Sequence, residues 1–157
     1  MRPYAMLFAA AFLPAAVQAD TVAARVPFDD CTLSHQLTSI YSLAGLTKAV
    51  QNDLAARLGK LADRGQPYQS SDAIVPRGGP TQRFIRALQS KDKLFVWYEQ
   101  GGIALSVHVL VYGNDEAAGA PESSAVPRFE ANFVTFNLCA ATDAYLNGQS
   151  PASGGER

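Results

Sequence analysis

Residues 93–113 read KLFVWYEQGGIALSVHVLVYG and predict the central hairpin of a β-sheet. Two runs rich in aromatic and β-branched residues flank Gly101-Gly102, a pair typical of a two-residue turn between antiparallel strands. The stretch holds the only Trp of the chain, Trp97, and one of its two His, His108. The hairpin therefore raises the question of whether these side chains form core or a binding surface.

Further strands are predicted on either side of this hairpin. Residues 83–89, RFIRALQ, precede it across Lys91-Asp92, which reads as a second two-residue turn. Residues 129–137, FEANFVTFN, follow it. With strands at 93–100 and 103–112, the pattern predicts a four-stranded antiparallel meander. The Pro-, Gly- and Ser-rich segment 66–82 is long for a connecting loop, so it is either functional or lies flat across the sheet.

Helices are predicted before and after the sheet. Apolar residues recur three or four positions apart from Leu33 to Leu61 and indicate an amphipathic helix, kinked or split near Gly45. Residues 138–147 predict a short C-terminal helix. Three residues ahead of the first helix have side chains suited to cap it: Asp29, Asp30 and Thr32.

The predicted fold class is α+β, with the N-terminal helix packed on one face of the meander sheet and a short C-terminal helix. One helical segment followed by a curved sheet resembles the element order of the cystatin-like and NTF2-like architectures. The resemblance covers roughly residues 30–147 and includes no family motif, so it implies a fold and no activity or site residue.

The ends of the chain predict export. Residues 1–19, MRPYAMLFAAAFLPAAVQA, combine Arg2 with a short apolar run and small residues before Ala19, which is the pattern of a cleavable signal peptide. We expect cleavage after Ala19, a single domain over residues 20–147 and a disordered tail over 148–157. The expected location is periplasmic or secreted, with no membrane attachment after cleavage.

The two cysteines, Cys31 and Cys139, predict a disulfide, because an exported chain meets an oxidising compartment. Loop entropy sets an upper value on the order of 4 to 5 kcal/mol for the stabilisation by a bridge across roughly 100 residues, because strain and residual structure in the unfolded chain reduce it. The bridge would place the start of the first helix beside the end of the last strand. A reactive thiol pair is the alternative, although the spacing is unlike that of redox motifs.

Composition argues against several classes of function. The chain has 13 Lys and Arg against 14 Asp and Glu and no basic run, which disfavours nucleic acid as a partner. No motif indicates a cofactor, a metal site or a catalytic nucleophile. Ser106 and His108 share one predicted face, but side chains two apart on a strand are about 7 Å apart, too far for a direct hydrogen bond.

A two-residue turn at Gly101-Gly102 places Trp97 opposite Ser106 and Phe95 opposite His108, because side chains alternate between the faces of a sheet. The Lys91-Asp92 turn adds three pairs, Arg86 with Trp97, Leu88 with Phe95 and Phe84 with Glu99. One face is then almost wholly apolar and suits the helix. The other face is both aromatic and ionisable, and it carries Phe84, Arg86, Leu88, Phe95, Trp97, Glu99, Ala104, Ser106, His108, Leu110 and Tyr112.

We therefore expect an exported, non-catalytic binding protein that recognises a protein partner in the envelope. The expected binding residues are Arg86, Phe95, Trp97, Glu99, Ser106, His108 and Tyr112. Three alternatives remain open. The loops and the final helix cover this face, with Arg86 and Glu99 paired at its margin. A pocket between helix and sheet binds a small molecule, with weak hydrolytic or isomerase activity through His108 and Glu99. The protein is structural and has no discrete site.

Overall fold

A computed structural model describes residues 31–70, 79–113 and 127–150. The predicted signal peptide, its cleavage site and most of the predicted tail lie outside these residues. Within them the protein is α+β, with an antiparallel sheet and two helices. The strands are β1 (Thr38–Ile40), β2 (Leu61–Ala62), β3 (Gln82–Gln89), β4 (Lys93–Gln100), β5 (Ser106–Gly113) and β6 (Arg128–Val134); the helices are α1 (Lys48–Leu58) and α2 (Leu138–Leu146).

The meander of β3, β4, β5 and β6 confirms the predicted core of the sheet. The full order is β1-β3-β4-β5-β6, and the short β2 pairs with β3 in parallel. The tight turn at Lys91-Asp92 is also confirmed, since the Ser90 N–H donates to the Lys93 carbonyl at 2.9 Å. Arg86 accordingly lies opposite Trp97, as predicted. A bulge between Phe84 and Arg86 then shifts the register, so that Phe84 lies opposite Tyr98 and not Glu99.

The predicted two-residue turn at Gly101-Gly102 is wrong. Gln100 pairs with Ser106, so the connection is residues 101–105 and the register differs by three from the prediction. The glycines serve other purposes. A Cβ on Gly101 would clash with the Gln69 carbonyl oxygen, and Gly102 has a φ of 123°. Gly101 thus permits the close approach of a neighbouring backbone, and Gly102 adopts a conformation that favours glycine.

Because the register differs by an odd number of residues, each side chain of β5 lies on the face of the sheet opposite to the one predicted from its pairing with β4. Trp97 lies opposite Val109, and Tyr98 lies opposite His108. The side chains of Ser106, His108 and Tyr112 therefore point to the side of the sheet opposite to Trp97. The predicted aromatic and ionisable face does not exist as one surface.

The long N-terminal helix is also wrong in extent, because only residues 48–58 form an α-helix, preceded by a single 3-10 turn at Leu43–Gly45. Thr47 caps it by accepting a hydrogen bond from the Val50 N–H, and Gly59 ends it with a φ of 72°. Residues 38–40 instead form an edge strand, in which Ile40 pairs with Ala87 of β3. Thr32, predicted to cap a helix, precedes no helix here, and Asp29 and Asp30 lie outside the described residues.

One helix covers each face of the sheet. On the α1 face, α1 and the turn before it pack a cluster of buried aliphatic residues against aromatic strand residues: Leu46, Val50, Leu54, Phe84, Leu94, Val96, Tyr98, Leu110 and Tyr112. On the α2 face, the cluster is Ile85, Leu88, Phe95, Trp97, Val107, Val109, Val111, Phe133, Leu138, Cys139 and Ala141. The second face is covered by α2, which is one of the alternatives that the sequence left open.

The predicted disulfide is confirmed. Cys31 and Cys139 are bonded, with their Cα atoms 6.0 Å apart. Cys139 is the second residue of α2, and Leu33 and Leu37 pack against the same cluster as Cys31. The bridge therefore holds both the N-terminal segment and α2 against the α2 face.

Replacing both cysteines, Cys31→Ala with Cys139→Ala, should lower the free energy of unfolding by about 2 to 4 kcal/mol, because the unfolded chain regains the entropy of a long loop. Urea unfolding of the variant and of the oxidised wild type measures the difference. Reduced wild type should match the variant. Equal stability of the oxidised and reduced proteins would contradict this role of the bridge.

Candidate functional site

The seven predicted binding residues divide between the two faces of the sheet. Four of them are buried on the α2 face: Arg86, Phe95, Trp97 and Glu99. Ser106, His108 and Tyr112 belong to the α1 face, where Tyr112 is fully buried and Ser106 is partly exposed at the beginning of β5. The structure therefore does not bring the seven together.

Trp97 is a core residue beneath α2. Its indole N–H donates to the Thr142 hydroxyl at 3.1 Å, and the Arg86 guanidinium lies 4.2 Å from the ring centroid. Arg86 also approaches the Cys139 sulfur at 4.0 Å. The cationic and aromatic groups that suggested a binding face thus lie against one another beneath the helix, which is the alternative in which the C-terminal helix covers this face.

Glu99 is paired at the end of the sheet with Arg83 and not with Arg86. The Arg83 Nε–H donates to the Glu99 carboxylate, and the guanidinium lies 4.4 Å from the Tyr68 ring centroid. Burial and the hydrogen bond to Glu99 raise the pKa of Tyr68 to about 12. The beginning of the 66–82 segment therefore lies against this end of the sheet, while residues 71–78 lie outside the described residues.

Tyr112 connects the sheet to α1. Its hydroxyl donates to the Asp53 carboxylate at 2.9 Å, and Arg57 donates to the same oxygen at 2.6 Å. Burial and the neighbouring Asp53 raise the pKa of Tyr112 above its usual value. Tyr112 therefore contributes to the packing of α1 and is not available to a ligand.

Ser106 and His108 form a hydrogen-bonded pair, contrary to the prediction that they lie too far apart. The Ser106 Oγ and the His108 Nε2 are 2.8 Å apart. Ser106 is the first residue of β5, so its side chain can lean along the strand toward His108. The imidazole stacks on Tyr98, with ring centroids 4.7 Å apart and planes inclined by 15°.

The environment of His108 favours the neutral imidazole. Its exposed fraction is 9%, and burial lowers its pKa, although the nearby Asn132 side chain opposes this by favouring the charged form. Among the described residues, the Nδ1 atom has no partner with hydrogen-bond geometry. The Ser106–His108 pair therefore combines a partly exposed hydroxyl with a buried, neutral base.

Three exposed apolar side chains lie at the end of the sheet where β4 ends and β5 begins. We call Ile103, Leu105 and Phe136 the loop patch; they are 95%, 43% and 76% exposed. The Thr135 N–H donates to the Val107 carbonyl at 2.9 Å, which places Phe136 beside the beginning of β5. Residues 100–113 and 131–142 contain no Asp, Glu, Lys or Arg, so the patch and the residues next to it in sequence carry no formal charge apart from any on His108.

Sequence reasoning missed the loop patch because it assigned Ile103 and Leu105 to a strand and Phe136 to the strand after it. These three side chains are exposed because they lie in connections between elements. For Ile103 and Leu105, that position depends on where the pairing of β5 begins after Gly102. The one signal in the sequence was the length of the apolar run 103–112, which is longer than the paired strand β5.

The comparisons add no relative: no family model, curated protein or solved structure matches the chain. Across residues 31–70, 79–113 and 127–150, no group of three or more His, Cys, Asp or Glu side chains is arranged to hold a metal ion. No helix in that part of the chain is both long and apolar enough to span a membrane.

The stability of the fold should fall on acidification in two windows. Because the folded pKa of His108 is lowered, the unfolded chain binds a proton first, and stability is lost as pH falls from about 6.5 toward the folded pKa. Burial alone would raise the pKa values of Asp143 and Glu130, but hydrogen bonds from Ser34 and Lys93, respectively, outweigh it and lower them. Their contribution is present above about pH 4 and is lost below it.

Urea unfolding at several pH values separates the two windows. We expect His108→Gln to remove most of the loss between pH 7 and pH 5 and to leave the loss below pH 4 unchanged. An unchanged slope in the upper window would contradict the assignment to His108.

Proposed function

We propose that the protein is an exported, non-catalytic binding protein that recognises a protein partner through the loop patch. The single observation that carries this proposal is the exposure of Ile103 and Phe136 on neighbouring connections at one end of the sheet. Large apolar side chains grouped on a surface are typical of protein interfaces. The proposal keeps the predicted class of function and moves its surface away from Trp97.

The absence of Lys and Arg from the patch and from the residues next to it in sequence favours a protein partner. Nucleic acids and anionic membrane surfaces are bound through Lys and Arg, and residues 100–113 and 131–142 contain neither. The partly exposed Ser106 and the exposed Asn132 supply polar groups beside the apolar side chains. An apolar centre with a polar rim is the usual anatomy of a protein interface.

Export is supported by the sequence pattern of residues 1–19 and by the disulfide, which suits an oxidising compartment. The proposed location remains the periplasm or the medium beyond it. The cystatin-like or NTF2-like element order also remains a proposal. The strand β1 ahead of α1 and the covering of the second face by α2 depart from one helix followed by a sheet.

The alternative enzyme, with His108 and Glu99 acting together, is not supported by the geometry. Glu99 pairs with Val107 across the ladder and shares its face, while His108 follows Val107 on the opposite face. The sheet therefore separates the two side chains. The space between α1 and the sheet, proposed as a ligand pocket, holds the packed side chains Leu46, Val50 and Leu54.

The double variant Ile103→Ser with Phe136→Ser should lose the partner while keeping its stability within about 0.5 kcal/mol, because both side chains are exposed. Cross-linking of the oxidised protein in the native exported fraction, read by mass spectrometry, measures the captured partner. We expect at least a tenfold decrease, on the order of the loss from removing interface anchors. Capture by the wild type should depend little on salt.

Tyr41→Ser is the matched control. Tyr41 is another large apolar side chain, 53% exposed, and it follows β1 at the opposite edge of the sheet from β6. It should retain the partner. Equal capture by the double variant and the wild type would contradict the proposal, as would a cross-linked product consisting only of two copies of this chain.

A further inference from the structure

We propose that Ser106 is a reactive serine that accepts an acyl group from small activated esters, with His108 as the base that takes its proton. This is a covalent modification of the chain, independent of partner binding by the loop patch. The geometry that carries it is the 2.8 Å separation of the Ser106 Oγ and the His108 Nε2. A nucleophile and its base require such a distance.

The surroundings hold the imidazole in position. Stacking on Tyr98, at 4.7 Å between centroids, and burial of all but 9% of the residue limit its rotation. A neutral imidazole can accept a proton at Nε2 only when its own proton resides on Nδ1. Among the described residues no group forms a hydrogen bond with Nδ1, so this tautomer is available but is not stabilised by a carboxylate.

The class of acyl donor is limited because no carboxylate accepts a hydrogen bond from the His108 Nδ1 atom. In Ser-His-Asp triads, the acid stabilises the imidazolium that forms as the serine attacks. Here no carboxylate in the described part of the chain contacts the Nδ1 atom, and the neighbouring Asn132 side chain, which favours the imidazolium, is a neutral amide. Ser106 should therefore react only with donors whose leaving group departs readily, namely aryl esters and thioesters. Leu105, which directly precedes Ser106 and is 43% exposed, is the large apolar side chain next to the nucleophile in sequence.

The chemical step balances without any further reactant. The Ser106 Oγ attacks the carbonyl carbon and forms an ester bond, while its hydroxyl proton moves to the His108 Nε2. The bond from the carbonyl carbon to the leaving oxygen or sulfur breaks, and the leaving group takes the electron pair as phenolate or thiolate. The imidazolium then returns its proton to the leaving group or to water.

A second serine–histidine pair provides an internal comparison. The Ser34 Oγ lies 3.2 Å from the His35 Nδ1, and the same Nδ1 lies 3.3 Å from the Asp143 carboxylate. A proton on Nδ1 that is directed at Asp143 leaves no lone pair there to deprotonate Ser34. The Ser34 hydroxyl and the Asp143 carboxylate share the same nitrogen of His35, so Ser34 should remain unmodified.

The test is treatment of the folded, oxidised protein with p-nitrophenyl acetate, followed by intact mass and peptide mapping. We expect one acetyl group per chain, located on Ser106, and release of one equivalent of nitrophenolate. Ser106→Ala should abolish it, and Ser34→Ala should leave it unchanged. His108→Gln should slow it by about 100-fold, the usual contribution of a positioned base.

A measurement in urea keeps the test valid if His108→Gln does not fold. Unfolded wild type has the same serines without the 2.8 Å contact, so acetylation of Ser106 should fall to the level of the other hydroxyls. Acetylation confined to lysines, equal labelling of Ser34 and Ser106, or labelling of Ser106 that persists in urea would each overturn the proposal.

Discussion

The packing of α2 onto the face of Trp97 is the interaction on which the rest of the structure depends. The helix buries the indole, accepts its N–H at Thr142 and carries Cys139, whose disulfide holds the N-terminal segment over the same face. An uncovered sheet would expose an aromatic surface with a cation beside it. With α2 in place those groups become core, and large apolar side chains stay exposed at the end of the sheet, in the connections after β4 and β6.

Local patterns predicted those parts of the fold that local interactions determine. The turn at Lys91-Asp92, the strand β4, the helix α2 and the disulfide all follow from short stretches or from cysteine count. The register of β5 could not be predicted, because Gly101 is required by the approach of Gln69 from a distant segment. The N-terminal helix was overextended because Ile40, which matches a helical spacing, instead pairs with Ala87 at the edge of the sheet.

The register of β5 also determined how much of the candidate site could be predicted from the sequence. Ser106 and His108 were identified, but a turn two residues long placed them beside Trp97, and strand geometry placed them too far apart to interact. In the structure they form a pair on the α1 face, at the end that carries Ile103 and Phe136. That end offers apolar side chains, polar groups at their margin and a hydroxyl beside a buried base, and its only ion pair in the described part of the chain, Arg83 with Glu99, is largely buried.

The burial of Trp97 is the central claim, and the fluorescence of the chain measures it directly because Trp97 is the only tryptophan. The emission of the native, oxidised protein should be blue-shifted and resistant to quenching by acrylamide, since the indole is fully buried and hydrogen-bonded to Thr142. Unfolding in urea should shift the emission to the red and make it quenchable. Red-shifted emission that acrylamide quenches freely in the native protein would show that α2 does not cover this face, and would contradict the account.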